Sequence, residues 1–534
     1  MTERTSRRPF HRRCKCSRIL LPIAAVCLSI LSCGNPDPNP LHSNSENVLH
    51  FDVPSPLRSL DPLDETPSGA MSAFPLIYSQ LFIVGEDGRI QPELAVKWAY
   101  DPARFAWTIQ LRENAFFHNG RRVTSKDVLY SMEYLSGRRS TSYLHELERM
   151  TSLSETSLEF ILKKDDPYFL SKISLVEILP EDGASRIDRS NHPVGSGPFR
   201  FSYRTGESEV GLTANDGYYL GRPSLDGIVI HYVEDRERSW ARLLSGKTDI
   251  ATEIYPKDYE MIRRYRDRFH FNERTVQRYS LLLYNTADPL FRDQGVRRAL
   301  SQAVDTRYIV ERVLRGFGVP ARGPAGVNSP YGNADASPPP YDPRESRELL
   351  RDAGWTMDEE QRCFSKDGKC FDFVISIFEG YQVDRKVAEY LQLCFNDLGV
   401  RARIEALPFR ELTRRYVGNN EFQAVLTEFK GAYRNPEILE KIWMQASECG
   451  SLAGCFDDPR VTELLRDASR ETDPDKRREL LLEVDARIVS LQPATFLFHK
   501  TAFDVTSGRI SMEQPFSYDT SHIYHLKDAR IVTK

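Results

Sequence analysis

Ser245-Gly246-Lys247-Thr248 carries the closing half of a phosphate-binding loop, in which the lysine and hydroxyl would meet a nucleotide's phosphates and metal ion. Such a loop needs a glycine five residues before Gly246, and that position holds Ala241. There is no Gly-x-Ser-x-Gly elbow to present a nucleophile and no His-Glu-x-x-His pair to hold zinc. His118 sits in the turn Phe117-His118-Asn119-Gly120 and reads as structural, and no acid pair stands out for proton transfer. No metal site and no cofactor are expected.

The readable chemistry is non-covalent. Phe422 to Glu428 reads as a strand, and Asn435-Pro436 as the capped start of a helix. Between them Phe429-Lys430-Gly431-Ala432-Tyr433-Arg434 is held where a strand ends and a helix begins, the place at which open α/β sheets take ligands. Two aromatics and two cations there suit a small solute, and they equally suit a solvated loop. Cys363 and Cys370 flank the hairpin turn Ser365-Lys366-Asp367-Gly368, and Cys449 and Cys455 bracket a short glycine-containing loop. Outside the cytoplasm these read as two disulfides; a metal site is the rival, but neither pair has Cys-x-x-Cys spacing. Cys394 shares an amphipathic helix with Val387, Leu391 and Leu398 and reads as a core thiol. Trp443 and Tyr416 also read as core.

The elements that must position these groups are legible in outline. Phe105 to Leu111 alternates apolar and polar as a half-buried strand does, Asn119-Gly120 is a tight turn, and Thr124 with Asp127 caps a helix carrying Val128, Leu129 and Met132. Helices are predicted from Thr306 to Arg315 after Asp305, from Asp342-Pro343 to Gly354, and from Asp473-Pro474 to about Val489. Pro320 to Pro340, rich in Pro, Gly, Ser and Asn, reads as a long surface connection. Strands alternating with capped helices favour α/β architecture, and a chain of 534 residues exceeds one hydrophobic core.

The amino terminus is an address. Seven basic residues and one acid precede Ile19 to Leu31, an apolar run of thirteen, where a bilayer span needs roughly 20. Residues 1–32 therefore read as a signal peptide. Ile30-Leu31-Ser32-Cys33-Gly34 resembles the lipobox of bacterial lipoproteins, which implies lipid on Cys33, with ordinary cleavage the alternative. Ser6-Arg7-Arg8-Pro9-Phe10 resembles a twin-arginine export motif, so the export route stays open. Residues 33–45, with Asn35-Pro36-Asp37-Pro38-Asn39-Pro40, read as a tether. Without the leader 65 basic and 75 acidic side chains remain, a net charge of −10, which argues against a nucleic-acid partner.

Gln91-Pro92-Glu93-Leu94-Ala95, Phe105-Ala106-Trp107-Thr108-Ile109-Gln110-Leu111-Arg112 and the turn and capped helix after them resemble the family 5 extracytoplasmic solute-binding proteins, the peptide-binding components of import transporters. Ser59-Leu60-Asp61-Pro62, Gly195-Ser196-Gly197-Pro198-Phe199, Asn215-Asp216-Gly217-Tyr218-Tyr219, Leu243 to Ile250, Leu283-Tyr284-Asn285-Thr286 and Val296 to Asp305 extend the resemblance along nearly the whole mature chain, in the right order. It implies a periplasmic-binding-protein-like α/β fold, type II and of the large cluster C kind. Lobe I would comprise residues 46–80, 190–280 and 505–534, with an inserted subdomain at 81–189 and lobe II at 281–504. A solute would be enclosed between the lobes of a monomer and delivered, unaltered, to an ABC permease. The protein would be extracytoplasmic, lipid-anchored to a bacterial membrane.

The resemblance also implies site residues. Peptide-binding members place a ligand-amine aspartate and a pocket aromatic in the loop before Pro436; the aromatic falls on Phe429, but the aspartate position is Ala432, with Lys430, Tyr433 and Arg434 around it. A peptide ammonium buried without an opposite charge costs several kcal/mol. The solute is therefore expected to be a blocked peptide or a small non-peptide molecule such as an anion, unless Glu428 substitutes. Tyr143 matches a segment that offers a tyrosine to the ligand backbone, and Thr66 and Ser68, in the loop after the first strand, should face the cleft. Rival readings are a solute sensor, a surface lipoprotein without transport, and an anchored hydrolase.

Overall fold

A computed structural model describes residues 46–64, 69–85, 88–136, 144–181, 188–254, 256–433, 435–444, 452–471, 473–513, 516 and 523–532. The expected leader, Cys33 and the tether lie outside these residues, as do Thr66, Ser68, Tyr143, Arg434 and Cys449.

One mixed sheet of eleven strands organises the chain. Across it run Arg401–Leu407, Asp372–Phe378, Ala424–Lys430, Phe269–Tyr284, Ala494–Ser507, Ile250–Ile254, Val48–Val53, Gly227–Tyr232, Glu209–Ala214 and Phe199–Thr205, and Gly318–Pro320 pairs with Ala494–Ser507 off this path. Two strands are long, 16 and 14 residues, and among the described strands these two belong to both halves. Phe269 to Thr275 pairs with Ser507 to Thr501; the register then breaks, and pairing resumes from Tyr279 opposite His499. Extra residues on one strand of an antiparallel pair bend it, so Val276, Gln277 and Arg278 mark the crossing between lobes.

The central strands of each half are buried on both faces, as their near-continuous apolar runs require. In the second lobe Leu282, Tyr284, Leu426 and Phe498 pack to one side, with Phe371, Phe373 and Phe395. Tyr279, Leu281, Leu283, Val425 and Phe496 pack to the other, with Trp443 and Tyr416. The inserted segment forms a four-stranded antiparallel sheet, in the order Ala95–Asp101, Ala106–Leu111, Ser157–Leu162, Leu147–Ser154. Its Ile109, Leu158 and Phe160 belong to the same core as Leu49, Phe51 and Ile230 of the first lobe, so the insertion extends that core.

Local grammar accounts for most element ends. Thr124 and Asp127 form a reciprocal capping box on Ser125–Leu135. Asp342 and Asp473 accept backbone N–H groups at the starts of Pro343–Asp352 and Pro474–Leu491. His118 donates from Nε2 to the Gly197 carbonyl (3.1 Å) and accepts the Gly195 N–H at Nδ1 (3.3 Å), which locks the Gly195–Gly197 turn from another element. Burial pushes its pKa down to about 4, which keeps the ring neutral.

Four expectations change in detail. The helix after Asp305 is α-helical only over Thr306–Tyr308 and then widens into a π turn, Ile309–Val313, which sinks Ile309 and Val310 into the second-lobe core. Pro320 to Pro340 is irregular, yet Ala321, Ala325 and Tyr331 are buried in it, so it is packed structure and not a surface connection. Cys394 is partly buried against the core instead of inside it. The strand expected to end at Glu428 continues to Lys430. Cys363 and Cys370 are bonded across their hairpin, and no described helix is long and apolar enough to cross a membrane.

Candidate functional site

Asp372–Phe378 runs parallel to both Arg401–Leu407 and Ala424–Lys430, so all three strands end on the same side. Lys430 pairs with Arg278 at the crossing, so that side faces the first lobe. Two helices start there, Gln382–Leu398 and Phe409–Thr413. Strand ends facing a second lobe, with helix N-termini around them, are the binding position of an open α/β sheet.

The side chains there form a connected set. Phe378 meets Tyr381 edge-on at 5.0 Å and Phe409 at 5.7 Å, and Tyr381 and Phe409 remain 58% and 67% exposed. Large aromatics left this open on a strand-end face form a shelf for an apolar group. The Lys500 ammonium sits 5.9 Å from the Tyr381 ring centre and 2.5 Å from the Glu428 carboxylate, which also accepts from the Ser280 hydroxyl at 3.3 Å. Asp384, in the first turn of Gln382–Leu398, is buried beside this pair. Burial pushes its carboxyl up to about 6, with Lys500 opposing and Glu428 adding to the shift.

The residues expected in the loop before Pro436 are partly diverted. Because the strand continues to Lys430, alternation turns Phe429 into the core, edge-on to Tyr279 and Trp443, and leaves Lys430 exposed. Ala432 is fully buried: its N–H donates to the Ala325 carbonyl (2.7 Å), and its carbonyl accepts from the Ser329 hydroxyl (2.8 Å). Gly431 donates to Gln277 at the crossing, and a Cβ on it would stand 2.6 Å from the Ala325 oxygen. His499 donates from Nδ1 to Val276 and accepts the Val327 N–H at Nε2, which ties crossing and loop together; burial lowers its pKa and keeps it neutral. Tyr433 is half-buried.

From the first lobe Val48–Val53, Gly227–Tyr232 and Ile250–Ile254 end toward the same gap. There Glu253 accepts from Arg236 at 2.7 Å, and its own N–H donates to Asp504, which also receives Arg274 at 2.7 Å. Glu253 has φ +49°, a strained value that non-glycine residues keep where surroundings enforce it, commonly at functional sites. At the outer edge the inserted segment touches the second lobe. Lys172 bridges Asp166 (2.8 Å) and Glu437 (3.2 Å), and Arg477 donates to the Pro167 carbonyl and lies over the Tyr168 ring. A cavity of about 860 Å³ lies elsewhere, lined by Tyr259, Arg263, Phe269 and Phe516 among others, and includes none of the strand-end residues.

Sequence reasoning passed over Phe378, Tyr381, Asp384, Phe409 and Lys500. The available signal was the strand-turn-helix grammar used for the Pro436 loop, which recurs at Phe378–Gln382 and Leu407–Phe409.

Residues 89–446 match the family model described as bacterial extracellular solute-binding proteins, family 5 middle. The oligopeptide-binding protein AppA of Bacillus subtilis (strain 168) is 24% identical over 455 residues, covering 79% of this chain and 81% of that protein. Heme-binding protein A of Haemophilus influenzae is 23% identical over 470 residues, covering 80% and 83%. The structure of HbpA2 from Haemophilus parasuis superposes with a TM-score of 0.80 at 19% identity, covering 91% of this chain and all of that one. With the two-lobe fold, the facing strand ends and a family match along most of its length, this chain belongs to the family 5 bacterial extracellular solute-binding proteins.

Proposed function

We propose that the protein captures a peptide-like small molecule between its lobes, unaltered, and delivers it to the membrane permease of an ABC importer. The observation that carries this reading is the exposed aromatic shelf of Tyr381 and Phe409 beside Lys500 and Glu428, at strand ends that face the other lobe. Family membership and relatives named for oligopeptides and heme support it. In this reading residues 46–80, 190–280 and 505–534 form lobe I, 81–189 the inserted subdomain and 281–504 lobe II. The protein acts as a monomer without cofactor, tethered outside the cytoplasm by lipid on Cys33. Thr66, Ser68, Tyr143, Tyr433 and Arg434 complete the wall around the solute, and Cys449 pairs with Cys455.

Native mass spectrometry of the mature protein tests capture directly. A small molecule should leave with the folded protein and be lost on denaturation, and Phe409→Ala should reduce its occupancy at least tenfold. A protein that emerges empty, and whose X-ray scattering is unchanged by a peptide-rich extract, would refute the reading.

A further inference from the structure

We infer that the second lobe holds a primary ammonium group of the solute on Asp384 and Glu428, at the strand ends, and not at position 432. This rests on the solute-binding reading above and names the chemistry of the same cleft.

Asp384 is the third residue of the 17-residue helix Gln382–Leu398. An acid at that position ordinarily faces water or reaches back to cap its own helix. Asp384 does neither: it is 8% exposed, the helix N-cap receives no side-chain bond, and the carboxylate makes no hydrogen bond or ion pair with a described residue. Buried carboxylates are costly unless a charge partner satisfies them. An unpartnered one, beside a cleft, is complementary to a cation supplied from outside.

The surroundings fit that cation. Asp384 lies within electrostatic reach of both Glu428 and Lys500, and among the described residues Lys500 is the ammonium partner of Glu428, so two carboxylates draw on that one charge. Lys430, on the same side of the strand as Glu428, is exposed and has an interaction of its own. Tyr381, three residues before Asp384, already takes the Lys500 ammonium over its ring and is open to solvent on the same shelf as Phe409. Aromatic faces attract ammonium groups as carboxylates do, and they hold the apolar chain that follows. Position 432 offers no alternative: Ala432 is fully buried and both its backbone groups are engaged. The missing charge of the loop is thus supplied from a neighbouring helix, and the blocked or anionic solute expected from sequence gives way to one with a free amine.

Calorimetric titration of the mature protein with a free-amine tetrapeptide library and its N-acetylated counterpart tests this. The free-amine library should bind at least tenfold more tightly. Asp384→Asn should abolish that preference without lowering the thermal midpoint of the empty protein, and Asp384→Glu should restore part of it. Equal binding of the two libraries, tighter binding of the acetylated one, or a preference that survives Asp384→Asn overturns the assignment. A copurified solute without a basic group also overturns it while leaving capture intact. Capture itself fails only if native mass spectrometry finds no bound molecule and a peptide-rich extract leaves the scattering unchanged.

Discussion

Glu93, from the run Gln91 to Ala95, ends as a neutral core group. It is almost fully buried, accepts the Gln80 N–H at 2.8 Å on one oxygen and the Tyr219 hydroxyl at 3.1 Å on the other. Burial pushes its pKa up to about 8, against these hydrogen bonds and the pull of Lys527 and Arg112, so the carboxyl is protonated at neutral pH. Glu93→Gln keeps the shape of that neutral form, its amide oxygen accepting the Gln80 N–H while the Tyr219 hydroxyl turns to Ser79 (2.9 Å). It should change unfolding free energy by less than about 1 kcal/mol at pH 4, where folded and unfolded Glu93 are both largely protonated. Glu93→Ala strands two buried donors and opens a void, and should cost about 2–4 kcal/mol. The pH dependence has a definite sign. An unfolded glutamate releases its proton near 4.5, whereas Glu93 holds it to about 8, so its stabilisation is complete below 4.5 and is lost as pH rises through 8. Denaturant titrations at pH 5 and pH 8 should therefore show Glu93→Gln gaining on the native protein at the higher pH. A difference that stays constant, or runs the other way, would mean that Glu93 is charged in the fold.

At the scale of elements, what the sequence made legible was local. Thr124 and Asp127, Asp342 and Asp473 cap the helices they precede because capping involves residues within a single turn. The strand Ala106–Leu111 follows from its own alternation. The site was less legible because parallel strands bring it together from far along the chain: Phe378 and Phe409 are separated by a whole helix and strand, and Lys500 comes from a third region. Asp384 was passed over because a first-turn acid ordinarily meets solvent; only the packing of its helix against the sheet buries it. Phe429 was displaced by two residues of added strand, because a strand's side chains alternate between faces. The packed connection after Pro320 was hidden by a composition that suits exposed turns. Its close approach to the site gives a testable consequence. Gly431 stands where any Cβ would meet the Ala325 oxygen at 2.6 Å and the Gln277 oxygen at 3.2 Å, both backbone atoms that yield only by moving the crossing or the loop. Gly431→Ala should lower the thermal midpoint by several degrees and weaken solute binding, whereas Gly206→Ala, at an open turn, should lower only the former. If Gly431→Ala binds solute normally, the loop does not shape the site.

For the whole molecule, the decisive question is what holds the lobes together once a solute lies between them. Away from the crossing, Lys172 of the inserted segment spans to Glu437 of the second lobe while keeping Asp166 of its own segment. The three side chains are only 12–13% exposed. Burial alone would lower the Lys172 ammonium, but Asp166 and Glu437 outweigh it and hold it above the usual lysine range. Burial raises the neighbouring Glu440, and Glu437 raises it further, so acid already crowds this seam. Removing one partner from a buried ionic set typically costs about 3–5 kcal/mol, since the remaining charges stay uncompensated. Lys172→Ala would leave Asp166, Glu437 and Glu440 facing one another, with the half-exposed Lys441, 3.2 Å from Glu437, still beside them, across a contact that exists only when the lobes are together. Opening relieves that repulsion, so the substitution should act on closure rather than on the fold of either lobe. A smaller closed population raises the apparent Kd in proportion, although no solute-contacting atom has changed. The expected result is a ten- to hundredfold weaker apparent affinity with a larger radius of gyration in X-ray scattering. Adding Glu437→Gln to Lys172→Ala should recover part of both by thinning the acid cluster. Unchanged affinity and unchanged scattering in Lys172→Ala would place the seam outside the closure equilibrium, and closure would then depend on the solute and the crossing strands alone.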